Sequence, residues 1–194
     1  SRAPSNRLWI LNKKEMKIMY IKSYNSPISK IYMRSDGKYL TGLWFEDSRD
    51  ASKHQYDYEE KNLPIFDKTS KWLDIYFSGK NPDFIPEYQI ENLTPFRKQV
   101  IDLMNKIPYG ETCTYNDIAK EIAMSKGIEK MSAQAVGGAV GWNPICIVVP
   151  CHRVVGTNGS LTGYGGGIKN KIKLLEIEKN NMSKFTIPKE KILN

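Results

Sequence analysis

The sequence predicts an α/β chain, with a strand-rich first half and a mainly helical second half that carries a helix-turn-helix. From Met16 to about Glu46, apolar and β-branched residues fall in short runs. Two of these runs flank Asp36-Gly37, a dipeptide that favours a tight hairpin. From Thr94 onwards, apolar residues instead recur at helical spacing. Two short helical stretches between Thr114 and Gly141, joined by a short loop, have the organisation of a helix-turn-helix.

Residues 1–15 show no periodicity and precede Met16 and Met19, so they read as a tag or disordered extension. Strands are expected around Ile18–Ile21, Lys30–Met33 and Tyr39–Phe45. A charged loop then leads to a helix from Thr69 to Phe77, stopped by Ser78-Gly79. Pro82, Pro86 and the polar stretch to Asn92 read as a linker between an N-terminal domain (16–90) and a C-terminal one (91–178). Thr94 supplies an N-cap and Pro95 the first helical position. Phe96, Val100, Met104 and Ile107 keep the helical period until Pro108-Tyr109-Gly110 break it. Thr114, three residues before Asp117, caps a helix carrying Ile118 and Ile122. The second helix of the pair runs from Ser132 to about Gly141 and stops at Asn143-Pro144. Ile145–Val149 reads as a buried strand. Beyond the glycine loop at 163–167, a last helix spans about Ile168 to Glu178, and 179–194 form a loosely ordered tail.

The 194 residues suffice for one domain or two small ones. A net charge of +8 permits binding to nucleic acid without locating it. Residues 1–90 carry +3, 91–178 only +2 and the final stretch +3. No apolar run approaches the roughly 18 residues of a membrane span, and Leu8–Leu11 is too short for a signal peptide. Three cysteines, Cys113, Cys146 and Cys151, lack metal-ligand spacing and point to reduced thiols in a cytoplasm. With only His54 and His152 as histidines, a histidine-rich zinc site is not expected. Neither a metal nor a cofactor is expected.

The most informative stretch is Ile147-Val148-Val149-Pro150-Cys151-His152-Arg153-Val154-Val155. Pro150 restricts the turn and removes a donor, so Cys151 lies where a buried segment leaves the core. A neighbouring imidazole helps a cysteine act as a thiolate nucleophile. A Cys-His pair alone is more often an accident of packing. The nine-residue run is more specific, and it resembles the active-site signature of the O6-alkylguanine-DNA alkyltransferases, or methylated-DNA–protein-cysteine methyltransferases. The resemblance extends from about Met16 to Glu178 and is strongest from Thr94. It implies an RNase H-like N-terminal α/β domain and a mainly helical, winged-helix or helix-turn-helix-like alkyltransferase domain. The implied activity is a single-turnover transfer of an alkyl group from O6-alkylguanine in double-stranded DNA to Cys151. O4-alkylthymine is left open as a second substrate, and the protein is expected to act as a monomer.

Residues 132–141 hold seven small side chains in ten, although each interior glycine costs a helix roughly 0.8–1.0 kcal/mol relative to alanine. The pattern alone favours close packing against another helix. The resemblance implies instead a recognition helix that enters the minor groove and supports base flipping. Ala133 and Gln134 lie on this helix, and Gln134 stands where the family usually has arginine. Glutamine lacks the charge and the broad planar face of a guanidinium.

Tyr115, by itself a half-buried core residue, is implied to crowd the flipped nucleotide's backbone and to donate a proton or hydrogen bond to guanine N3. Asn116 and Thr157 match positions that touch the DNA backbone. On a helical wheel Glu178 projects between Leu174 and Leu175, and an inward carboxylate needs a partner. The resemblance supplies one, in a relay of Cys151, a bridging water, His152 and Glu178. Asn143 would brace the thiol-bearing turn, and Arg153 would be a structural tie. Tyr164 would line the base pocket, whose wall has Gly165 where the family often has serine. The carbonyls of Cys151 and Val154 would accept from the exocyclic amine of guanine. Cys113 and Cys146 read as ordinary buried thiols. Two rivals differ in class. A cysteine hydrolase using Cys151, His152 and Glu178 would need an acyl pocket that is not recognisable. Non-catalytic alkylguanine binders that signal to repair factors lack the cysteine.

Overall fold

The computed structural model describes residues 18–188. The extension read at 1–15 and the last six residues of the tail lie outside the described residues. Strands β1 (Met19–Asn25), β2 (Lys30–Ser35) and β3 (Leu40–Phe45) form an antiparallel meander. At the hairpin, Asp36 Oδ1 accepts from the amides of Lys38 and Tyr39, both at 2.9 Å. Gly37 takes a φ of 114° there, which glycine adopts without steric cost. A fourth strand, β4 (Tyr58–Glu60), pairs in parallel with β1 and completes the order β3-β2-β1-β4. It falls within the expected charged loop. A polar three-residue edge strand offers no alternation to read.

All six residues of β3 are buried. Helix α1 (Pro64–Phe77) covers the sheet with Ile65, Phe66, Thr69, Trp72, Leu73 and Tyr76. It begins at Pro64, ahead of the expected Thr69, because proline preorganises the first helical position. The outer edge of β3 is occupied as well. Leu40 exchanges backbone hydrogen bonds with Glu87 and Gln89 (2.9 and 3.0 Å), so the expected linker lies along the sheet. Further along, the Leu43 amide donates to Pro144 and its carbonyl accepts from Cys146 (2.9 and 3.0 Å).

The second half is mainly helical. Thr94 caps α2 (Pro95–Met104) through the Arg97 amide, and the helix ends before Ile107. A full capping box between Thr114 and Asp117 opens α3 (Tyr115–Lys126), and Gly127 at φ 63° closes it. Ser132 caps α4 (Ala133–Trp142), completing the helix-turn-helix. A short parallel pair, β5 (Cys113–Thr114) and β6 (Val154–Val155), and helix α5 (Ile168–Ile177) finish the domain. Beyond it, the chain is held more firmly than expected up to residue 188. Thr186 exchanges backbone bonds with Leu161 and Gly159, both at 2.9 Å. Met182 and Phe185 pack against Val155, Leu161 and Leu175. Among the described residues, no helix is long and apolar enough to cross a membrane.

A buried polar cluster sits behind β3. Arg34 donates to the Thr41 carbonyl (2.7 Å), to its hydroxyl (3.2 Å) and to His54 Nδ1 (2.7 Å). His54 stacks on Trp44 with centroids 4.0 Å apart. Burial, and then the charges of Arg34 and Lys53, lower its pKa from 6.5 to about 3. Between these values the unfolded chain binds a proton that the native state refuses, so stability is lost as the pH falls. Unfolding in urea should show this as a loss of about 2 kcal/mol from His54 between about pH 7 and about pH 5. His54→Gln should remove that contribution. A variant as acid-sensitive as the parent would assign the slope to other groups.

Candidate active site

Asn143 closes α4 and organises the segment that follows. Its Nδ2 donates to the carbonyls of Ile145 (3.2 Å) and Val149 (3.1 Å), while its Oδ1 accepts from the Ile145 amide (3.1 Å). These bonds fold residues 145–149 into a compact turn in place of the expected strand. Ile147 adopts a φ of 68°, which costs a β-branched residue roughly 1–3 kcal/mol. Its side chain is almost wholly buried, and that burial offsets the strain. Periodicity alone does not separate a strand from another short buried apolar run.

Pro150 leads into a 3-10 turn, Cys151–Arg153, that enters β6. Pairing of Val154 with Cys113 fixes this turn against the start of α3. Burial is the main cause that pushes the Cys151 thiol up to about 11, and the charge of Asp50 acts the same way. Asn143, Lys53 and Lys171 pull in the other direction. At neutral pH the sulfur is therefore a thiol, and a base must remove its proton before it becomes a good nucleophile.

His152 is fully buried, and its Nε2 is hydrogen-bonded to Oε2 of Glu178, the residue that ends α5. The Tyr76 hydroxyl donates to the same oxygen at 2.6 Å. Arg153 Nε (2.7 Å) and the Gly110 amide (3.1 Å) donate to Oε1. Arg153 also reaches the Ile107 carbonyl at 2.8 Å. Burial opposes the charge on Glu178, but His152 and Arg153 outweigh it and hold the carboxyl well below its usual range. Burial lowers the pKa of His152, against the pull of Glu178. The pair thus rests as carboxylate and neutral imidazole, with the proton on Nε2. Nδ1 is buried, has no hydrogen-bond partner among the described residues and keeps a free lone pair. An imidazole in this state can accept a proton.

Above this network, the Tyr115 hydroxyl donates to the Thr162 carbonyl at 3.3 Å. Burial, then the proximity of Cys151, pushes this phenol up to about 12. Tyr164 is buried, with its hydroxyl unpartnered among the described residues. Lys171 donates to the Val154 carbonyl at 2.6 Å and lies over the Tyr164 ring at 5.5 Å.

Two family models match the chain, both described as 6-O-methylguanine DNA methyltransferase. The ribonuclease-like domain matches residues 19–86 and the DNA-binding domain residues 95–180. A Methanosarcina mazei methylated-DNA–protein-cysteine methyltransferase is 42% identical over 164 residues, covering 84% of this chain and 99% of its own. The chain belongs to this family. The Haemophilus influenzae methyltransferase is 35% identical over 164 residues, covering 84% of this chain and 88% of its own. Among solved structures, Mycobacterium tuberculosis OGT in complex with DNA is 36% identical with a TM-score of 0.68, covering 87% of this chain and 94% of its own.

Of the residues singled out in the sequence of this methyltransferase-family chain, Asn143, Cys151, His152 and Glu178 form one buried group. Tyr115 and Tyr164 both lie within the electrostatic reach of Cys151. Asn116 and Thr157 form a separate exposed pair, joined at 3.4 Å. Ala133 and exposed Gln134 open α4 and stand apart from the buried group. Three participants had escaped notice. Lys171 shares the inward face of α5 with Leu174 and Glu178, so the wheel that exposed the glutamate also carried the lysine. Tyr76 and Asp50 come from the N-terminal domain, and nothing in their local sequence marks them.

Removing a buried charge partner while four donors remain should be costly. Glu178→Gln is expected to lose roughly 3 kcal/mol or more of unfolding free energy, whereas Glu176→Gln on the exposed face should stay within about 0.5 kcal/mol. Equal urea midpoints for the two variants would refute the role given to the Glu178 donors.

Proposed function

We propose that this chain repairs DNA directly, by moving an alkyl group from O6 of guanine onto Cys151 and keeping it there. The observation that carries the reading is the buried sequence of thiol, imidazole with a free Nδ1, and carboxylate fixed by four donors. In the reaction the thiol proton passes to His152, directly or through one water, and Glu178 stabilises the imidazolium. The sulfur attacks the alkyl carbon, the carbon–O6 bond breaks, and its electron pair goes to the guanine oxygen. Guanine leaves more easily if it is protonated, and Tyr115 is the proposed donor to N3. The product is a thioether, which has no good leaving group, so each molecule acts once.

A buried thiol meets a base only after that base has left the duplex. Binding is assigned to α3 and α4, with Asn116 and Thr157 on the backbone and Ala133 and Gln134 at the groove. Glycine positions in α4 support this assignment. A Cβ at Gly138 or Gly141 would meet nothing within 4 Å, so a neighbouring helix does not explain these glycines. A Cβ at Gly137 would only graze the Tyr115 ring at 3.8 Å. A bald face open to solvent suits close approach to DNA. Val154, Tyr164 and Gly165 form the proposed base pocket. Residues 18–90 then brace the site, while 91–178 bind DNA and accept the alkyl group. Three free thiols fit a cytoplasmic protein, and the proposed reading has it act as a monomer.

Incubation with O6-benzylguanine followed by intact-mass measurement should show one benzyl group, mapped to Cys151. Cys151→Ser should take up none while still binding alkylated duplex DNA. Transfer persisting in that variant, on Cys113 or Cys146, would mean the acceptor is wrongly assigned.

Gln134 should fill the stack vacated by a flipped guanine, but less well than arginine. Gln134→Arg should tighten duplex binding and steepen its salt dependence, since a further cation adds to counterion release. It should speed repair in duplexes and leave the reaction with free O6-benzylguanine nearly unchanged. Gln134→Ala should slow duplex repair and again spare the free base. The measurement is the ratio of the two second-order rates across the three side chains. A flat ratio would remove residue 134 from flipping.

A further inference from the structure

The turn Arg49–Lys53 leaves the N-terminal sheet after β3 and reaches the proposed base pocket. Asp50 is 5% exposed, although Arg49, Ser52 and Lys53 of its turn are exposed. Its backbone amide donates to the Gly165 carbonyl at 3.1 Å. Its carboxylate lies against the same glycine, where a Cβ would fall 2.1 Å from Asp50 Oδ1. The space that a side chain at position 165 would take is therefore filled by Asp50. Lys53 Nζ sits 2.6 Å from Asp50 Oδ1 and also donates to the Gly141 carbonyl near the end of α4. The ammonium thus ties the pocket wall to the recognition helix.

We propose that Asp50, anchored by Lys53, completes the wall of the base pocket at Gly165 and sets how bulky an alkylated base it admits. The inference rests on the alkyl-transfer reading above. Asp50 is a specificity-determining and positioning residue that acts on the reaction through the pocket and through its charge. Cys151 is faced by Asp50 and Lys53 from this turn, Lys171 from α5, Tyr115 from α3 and Tyr164 from the glycine loop. His152 follows it in the chain, and Cys146 comes from the preceding turn. Among these charges Asp50 works against the thiolate, while Lys53 and Lys171 favour it.

The test measures transfer from duplexes carrying O6-benzylguanine or O6-methylguanine, using the full chain. Asp50→Ala should raise the benzyl-to-methyl rate ratio about fivefold or more, because the wall retreats. Asp50→Asn keeps the volume and should leave that ratio near the parent's. It should still move the pH–rate profile down by roughly half a pH unit or more, and Lys53→Met should move it up. Gly165→Ala should lower the ratio in the parent, by driving the carboxylate towards the base, but should change it little in the Asp50→Ala background, where no carboxylate remains to be displaced. The charge variants keep the proposal testable even if Asp50→Ala folds poorly. A Gly165→Ala effect of the same size in both backgrounds, or charge variants whose profiles do not move in opposite directions, would overturn it. Parent protein that takes no benzyl group at Cys151 would instead overturn the alkyl-transfer reading on which it rests.

Discussion

Glu178 is taken out of water at the end of α5, and a carboxylate in that position needs donors enough to replace its hydration. The donors come from four places: the Tyr76 hydroxyl on α1, the Gly110 amide before β5, the His152 ring and the Arg153 guanidinium. None of these segments is adjacent to another in the sequence apart from His152 and Arg153. Satisfying one charge therefore fixes the N-terminal helix, the entry to the helix-turn-helix and the thiol-bearing turn relative to α5. It also fixes the imidazole tautomer, because an acceptor at Oε2 keeps the proton on Nε2. Packing and chemistry here share one group.

The same burial that makes Glu178 dependent on its neighbours keeps Cys151 unreactive. With its thiol at about 11, the resting protein presents little thiolate to solutes. On the proposed reading, a base that excludes water and brings its alkyl carbon to the sulfur would change the balance, with His152 Nδ1 taking the proton as the bond forms. Cys146 and Cys113 are also raised by burial, and neither has a histidine beside it in the chain. On the proposed reading, selectivity among the three thiols would follow from the placement of one base.

Much of this was legible where a local rule applies. Thr94-Pro95 and Thr114 with Asp117 each predicted a cap that the fold contains, because capping depends on residues within one turn. Glu178 was legible because an inward carboxylate violates the helical pattern, and Lys171 could have been found by the same test. Ile145–Val149 misled because its fold is decided by Asn143, whose amide binds both ends of the segment, and by the edge of β3. Pro64 is the local signal for the start of α1, since proline is preorganised for the first helical position. Tyr76 and Asp50 reach the site only through the docking of one domain on the other, which no local pattern encodes.

β3 shows why the N-terminal domain belongs to the site without supplying its nucleophile. One edge of this strand pairs with β2, and the other pairs with the linker at Leu40 and with the thiol-bearing segment at Leu43. The turn before Cys151 is thus an extension of the sheet, and strain at Ile147 is tolerable because the sheet and the core hold both sides. A helical domain alone would leave the amide of Cys146 and the carbonyl of Pro144 without these partners, and Asp50 and Tyr76 would be absent. Separation of the halves would therefore cost the site its geometry before it cost the helix-turn-helix its fold. The sheet serves as the rigid support against which a buried thiol is aimed.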